Sequence, residues 1–161
     1  MNSYLGVGSN LDPKKNIKLA LKELINQGFS IQKVSTHYRT EPLKHKENPS
    51  YINGIWCLNE YSGSRSSLKD ILKNIETKCG RIRTDDPYSS RTLDLDIILH
   101  RDYISPDILT REFIFVPLLE IAPNLKLPGL GKLNACAAPS DRQRMQPLSD
   151  FTNELRRMIH E

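Results

Sequence analysis

The run Arg91-Thr92-Leu93-Asp94-Leu95-Asp96-Ile97-Ile98-Leu99 constrains this chain more than any other stretch. Leu93, Leu95, Ile97 and Leu99 alternate with Thr92, Asp94, Asp96 and Ile98, the period of a half-buried β-strand. Asp94 and Asp96 then project from one face, about 7 Å apart at the backbone. Carboxylates that close repel, so one is protonated or a cation sits between them. An oxygen-preferring divalent ion, most simply Mg²⁺, is the natural partner, and carboxylate-bound Mg²⁺ is commonly shared with substrate phosphates. Arg81, Arg83 and Arg91 stand just upstream and supply the anion-binding half. Taken alone, a D-x-D on a strand is more often a solvated face, and the arginines alone could be surface ion pairs.

Upstream of this strand the chain reads as alternating elements. Tyr4-Leu5-Gly6-Val7-Gly8 is a short strand. Asp12 is expected to cap a helix that starts at Pro13, carries Ile17, Leu21, Leu24 and Ile25 on one face and stops at Gly28. A second strand is expected from Ser30 to Arg39, with Val34, Thr36 and Tyr38 on one face. A polar loop from Thr40 to Ser50 contains Pro42 and Pro49. A third strand runs from Tyr51 to Glu60, with Ile52, Trp56 and Leu58 on one face and Tyr51, Asn53, Ile55 and Cys57 on the other. A Ser/Gly-rich turn from Tyr61 to Ser67 leads to a second amphipathic helix through Leu68, Ile71, Leu72, Ile75 and Cys79, ending at Gly80. Glu76 lies beside its apolar stripe. The order β-α-β-β-α-β is that of a ferredoxin-like α+β fold, an antiparallel sheet covered on one face by two helices.

The rest of the chain is expected to add to this unit. Phe113-Ile114-Phe115-Val116 reads as a short strand and Pro117 to Ala122 as a turn or two of helix. Asn124 to Ser140 reads as loop, and Leu148, Phe151, Leu155, Met158 and Ile159 mark a C-terminal helix. With no repeat and no clear linker, 161 residues favour a single domain over 1–161.

Composition narrows the class of function. With 38% apolar and 26% charged residues the chain is ordinary for a globular protein. No apolar run approaches the ~18 residues of a membrane span, and the first segment lacks the pattern of a secretory signal, so the cytoplasm is the expected compartment. The formal charge of +4 permits anionic partners, but the basic residues are interspersed with acidic ones rather than gathered in a nucleic-acid stripe. Cys57, Cys79 and Cys136 fit no disulfide or zinc spacing, and Cys57 and Cys79 read as small buried hydrophobes. The four histidines form no ligand pattern.

Gly8-Ser9-Asn10-Leu11, Tyr38-Arg39-Thr40-Glu41-Pro42-Leu43, Tyr51-Ile52-Asn53 and the Arg91–Leu99 run, in this order and spacing, resemble the 6-hydroxymethyl-7,8-dihydropterin pyrophosphokinase family. The likeness spans about residues 4 to 123. It implies transfer of the β,γ-pyrophosphoryl group of ATP to the hydroxymethyl oxygen of a reduced pterin in folate synthesis, giving AMP and the pterin diphosphate. By this resemblance Asp94 and Asp96 would each contact two Mg²⁺ ions that also grip the triphosphate. Arg81 and Arg91 would be catalytic. ATP would be bound by Glu76, Arg81, Arg83, Tyr88, Arg91, Ile97 and Arg111, and the pterin by Thr40, Leu43, Tyr51, Asn53 and Phe113. Tyr51 and Phe113 match the family's two stacking positions, although without the family pattern both read more readily as core aromatics. Asn53 can donate and accept at a pterin edge.

No His, Glu or Lys stands out as a general base, so catalysis is expected from alignment and charge stabilisation, with the Arg81–Arg91 and Thr40–Ser50 loops closing over substrates. The chain departs from the family pattern at Asp107, where a histidine follows the proline, in a shortened segment before Arg111. Tyr88 replaces a frequent tryptophan, Ser89-Ser90 a Gly-Pro, Lys73 an occasional glutamine and Glu41 a proline. Apart from Glu41, which adjoins Thr40, these changes fall on the nucleotide side; all leave the acidic pair and the pterin residues in place. The expected partners are ATP and a reduced pterin, with no nucleic acid and no membrane, for a monomer that works alone or beside other folate enzymes. Two other readings compete. One is a different metal-dependent nucleotide phosphotransferase on a ferredoxin-like sheet. The other is a non-catalytic module for single-stranded RNA, which the acidic pair disfavours because it would repel phosphate without a metal.

Overall fold

A computed structural model of the chain describes residues 1–41, 49–80, 92–139 and 144–160. Its elements run β1 (Ser3–Ser9), α1 (Pro13–Asn26), β2 (Ile31–Val34), β3 (Tyr38–Thr40), β4 (Tyr51–Leu58), α2 (Arg65–Lys78), β5 (Asp94–His100), β6 (Tyr103–Ile104), α3 (Glu112–Ile121), β7 (Lys126–Leu127), β8 (Gly131–Lys132), a 3-10 turn at Leu133–Ala135, β9 (Met145–Pro147) and α4 (Ser149–Met158). The main sheet has the order β6-β5-β1-β4-β3-β9, with β2 also paired to β4, and every pairing is antiparallel. The β5-β1-β4-β2/β3 centre is the expected ferredoxin-like α+β arrangement.

One sheet face carries Leu5, Val7, Ile52, Trp56, Leu58, Leu93 and Leu95, packed against Ile17, Leu21 and Leu24 of α1 and Leu68, Leu72 and Ile75 of α2. Phe151 and Leu155 of the expected C-terminal helix, α4, join this cluster. The other face carries Tyr4, Ile55, Cys57, Ile98 and Leu99 under Ile114, Phe115, Leu118 and Ile121 of α3. The split of β4 residues between the two clusters follows the alternation along the strand.

Helix ends follow local chemistry. α1 closes in a Schellman motif: Phe29 N–H donates to the Leu24 carbonyl, Gly28 N–H to that of Ile25, and Gly28 has φ +95°. Ser64 caps α2, its hydroxyl accepting from Ser67 N–H at 3.0 Å. At α1 the expectation fails in part. Asp12 holds the cap position with φ 46° and makes no side-chain cap bond.

Four other expectations are corrected. The strand expected from Ser30 to Arg39 is split into β2 and β3. Ser35 causes the break: its N–H donates to the Ile55 carbonyl while its hydroxyl accepts from Ile55 N–H, which turns His37 into the core in place of the expected Thr36 and Tyr38 alternation. The Phe113–Val116 segment is helical rather than extended. Ile114, Phe115, Leu118 and Ile121 recur at helical spacing on the buried face, and the helix continues through Pro117. The expected Asn124–Ser140 loop contains the β7–β8 pair and the 3-10 turn. Finally, β5 does not alternate to its end. Leu5 pairs with Ile97 but Tyr4 with Leu99, so an extra residue swings Leu99 onto the α3 face.

His37 is fully buried, and its ring is satisfied at both nitrogens. Nδ1 lies 3.0 Å from the Ser35 carbonyl and Nε2 3.2 Å from Trp56 Nε1–H, which fits the neutral ring with its proton on Nδ1. A Cβ on Gly54 would lie 2.3 to 2.5 Å from this ring, so glycine is required there. Burial pushes the imidazole down to about 4, the Ser35 contact opposing and Arg156 adding to the shift. The folded protein thus holds His37 neutral where the unfolded chain protonates it, and stability falls as pH drops from about 6.5 to about 4. The unfolding free energy of the wild type is expected to fall more steeply over this window than that of His37→Gln, a difference of up to about 3 kcal/mol in denaturant titrations. Gly54→Ala should lower stability by about 3 kcal/mol or more in denaturant titrations.

Candidate active site

The acidic pair stands on the sheet face that α1 and α2 do not cover. Asp94 pairs with Gly8 and Asp96 with Gly6 on β1; Gly8 in turn pairs with Asn53 and Gly6 with Ile55 on β4. Directly paired residues of antiparallel strands share a face. Two rows therefore cross the sheet: Tyr38, Asn53, Gly8 and Asp94 in one, Ile55, Gly6 and Asp96 in the other. A third pair, Thr40 and Tyr51, lies beside the first row. α3 and its neighbours cover the Ile55, Ile98 and Leu99 end of this face, whereas Asp96 is exposed and Asp94, Asn53 and Tyr51 are half-exposed.

The glycines of β1 make the gap. A Cβ on Gly8 would lie 2.6 Å from Asn53 Oδ1. With hydrogen there, Asn53 leans across β1, and a shelf remains between its amide and Asp94. Asn53 is itself held, its Nδ2 donating to Thr40 Oγ1 at 2.6 Å. Thr40 is buried, so this bond fixes the amide with its carbonyl oxygen on the Gly8 side.

Glu76 supports the acidic strand from its other side. It is buried on α2, and its Oε2 accepts from Leu95 N–H at 2.7 Å. Leu95 lies between the two aspartates, beyond the short pairing of β5 with β6. The carboxylate thus satisfies a backbone donor on the outer edge of β5 and sets that strand's position. The sequence placed Glu76 beside an apolar stripe but did not reveal this backbone role. Ile97 packs against the α1/α2 cluster, so Glu76 and Ile97 lie on the face of β5 opposite the acidic pair.

Arg111 and Phe113 sit at the start of α3, on the same side of the sheet as the acidic pair. The shortened segment forms a turn in which Ser105 Oγ accepts from Asp107 N–H and the Asp107 carbonyl accepts from Arg111 N–H at 3.0 Å. Asp107 therefore helps shape the approach to Arg111. Leu43, Arg81, Arg83, Tyr88 and Arg91, with most of both expected closing loops, lie outside the described residues.

Neither described core histidine faces this shelf. His100 bonds Ser3 Oγ at 2.6 Å and the Gly63 carbonyl at 2.8 Å, and His37 is enclosed as above. Cys57 and Cys79 are free thiols whose pKa values burial raises, Cys57 being fully enclosed and Cys79 partly so. Among the described residues no group of three or more His, Cys, Asp or Glu gathers as a metal cage. Two carboxylates on one sheet face suit Mg²⁺, which takes one or two carboxylates and completes its shell with water and phosphate oxygens.

The model of the 7,8-dihydro-6-hydroxymethylpterin-pyrophosphokinase family matches residues 4–123. The chain belongs to this family. Its relatives include the 2-amino-4-hydroxy-6-hydroxymethyldihydropteridine pyrophosphokinase of Haemophilus influenzae, 34% identical over 80% of this chain and 86% of that protein. The pyrophosphokinase of Synechocystis is 36% identical over 81% of this chain and 71% of that protein. The folic acid synthesis protein fol1 of Schizosaccharomyces pombe is 36% identical over 78% of this chain, but the match spans 18% of that longer protein. Among the described residues no helix is long and apolar enough to cross a membrane.

In this pyrophosphokinase scaffold the buried Glu76–Leu95 bond yields a prediction. Glu76→Ala leaves Leu95 N–H without its acceptor and should cost about 1 to 3 kcal/mol in denaturant unfolding. Glu76→Gln keeps a carbonyl acceptor and should recover most of that loss.

Proposed function

We propose that this chain binds ATP and a reduced pterin across the open sheet face and transfers the pyrophosphoryl group between them there. The reaction class follows from family membership: pyrophosphoryl transfer from ATP to 6-hydroxymethyl-7,8-dihydropterin in folate synthesis. The observation that carries the site assignment is the row Asn53, Gly8, Asp94, in which an amide and a carboxylate flank a glycine whose added Cβ would lie 2.6 Å from Asn53 Oδ1.

In this reading Asp94 and Asp96 hold two Mg²⁺ ions. Such ions would add positive charge against the triphosphate oxygens and so favour attack at the β-phosphorus. Asn53, fixed by Thr40, meets the donor and acceptor edge of the pterin. Tyr51 and Phe113 take its ring faces, a geometry suited to a flat heterocycle. Leu43 is the further pterin-binding residue that the family resemblance assigns. The pterin hydroxymethyl oxygen forms a bond to the β-phosphorus as the bond to the α,β-bridging oxygen breaks; AMP leaves and the hydroxyl proton passes to solvent. Positioning and charge carry the acceleration in this reading.

Arg81, Arg83, Tyr88, Arg91 and Arg111 are the nucleotide-binding residues of this proposal, with Arg81 and Arg91 in catalytic roles. Arginine holds phosphate oxygens bidentately and stays charged throughout turnover. Glu76 and Ile97 belong to the opposite face of β5, so a nucleotide that reaches them runs over the outer edge of that strand. Residues 1–161 act as one domain and as a cytoplasmic monomer. β9 and α4 support the single-domain reading, because they dock on the same sheet as the matched segment.

AMP release from ATP with Mg²⁺ tests this function. It should require 6-hydroxymethyl-7,8-dihydropterin and stop when EDTA removes the metal. Asp96→Ala should lower kcat about a hundredfold or more, the scale of losing one electrostatic stabiliser. Asn53→Ala should act mainly on the pterin KM. A folded wild type that releases no AMP with both substrates present contradicts the reading.

A further inference from the structure

β9 lies beyond the family match, which ends at residue 123, yet it borders the side chains assigned to the pterin. β9 pairs with β3 in the register Thr40 to Met145, Arg39 to Gln146 and Tyr38 to Pro147. On its other edge β3 pairs with β4, Thr40 opposite Tyr51 and Tyr38 opposite Asn53. Since direct partners share a face, Met145, Thr40 and Tyr51 form one row on the open face. This row adjoins the one that holds Asn53, Gly8 and Asp94. β9 is the last strand on this side of the sheet; without it β3 would be the edge. Thr40 is 1% exposed, and its hydrogen bond to Asn53 is part-buried.

We propose that Met145 is a specificity-determining residue of the pterin pocket, its thioether forming the outer wall beside Thr40. The proposal rests on the assignment of Thr40, Tyr51 and Asn53 to the pterin. A flat heterocycle needs more than ring faces and a polar edge: its margin must also be closed, or water competes for the fixed amide. Methionine suits that margin, because its flexible thioether fills irregular gaps and packs favourably against aromatic ring edges.

The wall is anchored by the helix that follows it. Leu148 N–H donates to the His37 carbonyl at 2.9 Å, and His37 N–H donates to Thr152 Oγ1 at 2.9 Å. Phe151 packs edge-on to the His37 ring at 5.9 Å. Arg156 Nε donates to the Val34 carbonyl at 3.0 Å, and its guanidinium lies 3.6 Å from Glu120, which accepts from both Thr36 N–H and Thr36 Oγ1. These bonds tie the 34–37 segment, which leads directly into β3, to α4. A register slip of Met145 against Thr40 would have to break them.

Steady-state kinetics with ATP and 6-hydroxymethyl-7,8-dihydropterin test the proposal on the wild type, Met145→Ala and Met145→Leu, with Tm measured for each. Met145→Ala should raise the pterin KM about tenfold and leave the ATP KM and the Tm near those of the wild type. Met145→Leu, which restores the apolar volume, should return the pterin KM close to the wild-type value. An unchanged pterin KM in Met145→Ala overturns the proposal. So does a rise in both KM values with a lowered Tm, which would mark Met145 as a structural residue only. A wild type with no pterin-dependent AMP release instead overturns the pyrophosphokinase reading beneath it, and the wild-type control alone separates the two failures.

Discussion

The pairing of β1 on both of its edges is the constraint on which the rest depends. β1 carries Leu5 and Val7 toward α1 and α2, and Gly6 and Gly8 toward the other face. One strand thus anchors the main core and leaves a trough on the opposite surface. Its partners β4 and β5 bring Asn53 and Asp94 to the two sides of Gly8 in a single register. Because side chains alternate with a period of two, a one-residue slip of either partner would bury the polar group and expose its apolar neighbour. The hydrophobic core and the candidate site are therefore specified by the same register.

Around this centre, buried polar groups brace the strands at points where the ladder ends. Ser35 closes the break between β2 and β3 on the backbone of Ile55, and Glu76 takes up the outer N–H of Leu95. His37 joins Trp56, Ser35 and, through its backbone, α4. Each group is satisfied in this arrangement, and an unpaired buried partner is costly, so these contacts favour this geometry rather than merely adding attraction. The C-terminal residues extend that bracing to the strand that carries Thr40.

Much of the fold was legible in the chain because its signals are local. The spacing of Leu68, Leu72 and Ile75, the Ser/Gly-rich turn before it and the glycines at positions 28 and 80 all report on neighbouring turns. The alternation from Tyr51 to Leu58 reports on a single strand. The misreadings occurred where a distant partner overrides the local pattern. Ser35 breaks a strand by bonding to β4, and the extra residue in β5 turns Leu99; after Arg111 the helical spacing of Ile114, Phe115, Leu118 and Ile121 shows only once the window extends past Val116. β9 has no local signal, since a three-residue edge strand is defined by its partner alone.

By itself the sequence determined the alternation that puts Asp94 and Asp96 on one face, and the four motifs that mark a pyrophosphokinase. Both are carried by residue type and spacing. Only the tertiary structure decided which residues share that face across strands: Asn53 beside Gly8, Thr40 beside Asn53, Glu76 behind Leu95, and Met145 at the margin. Those relations depend on strand register and helix docking, which follow from the burial of the whole core at once rather than from any one segment.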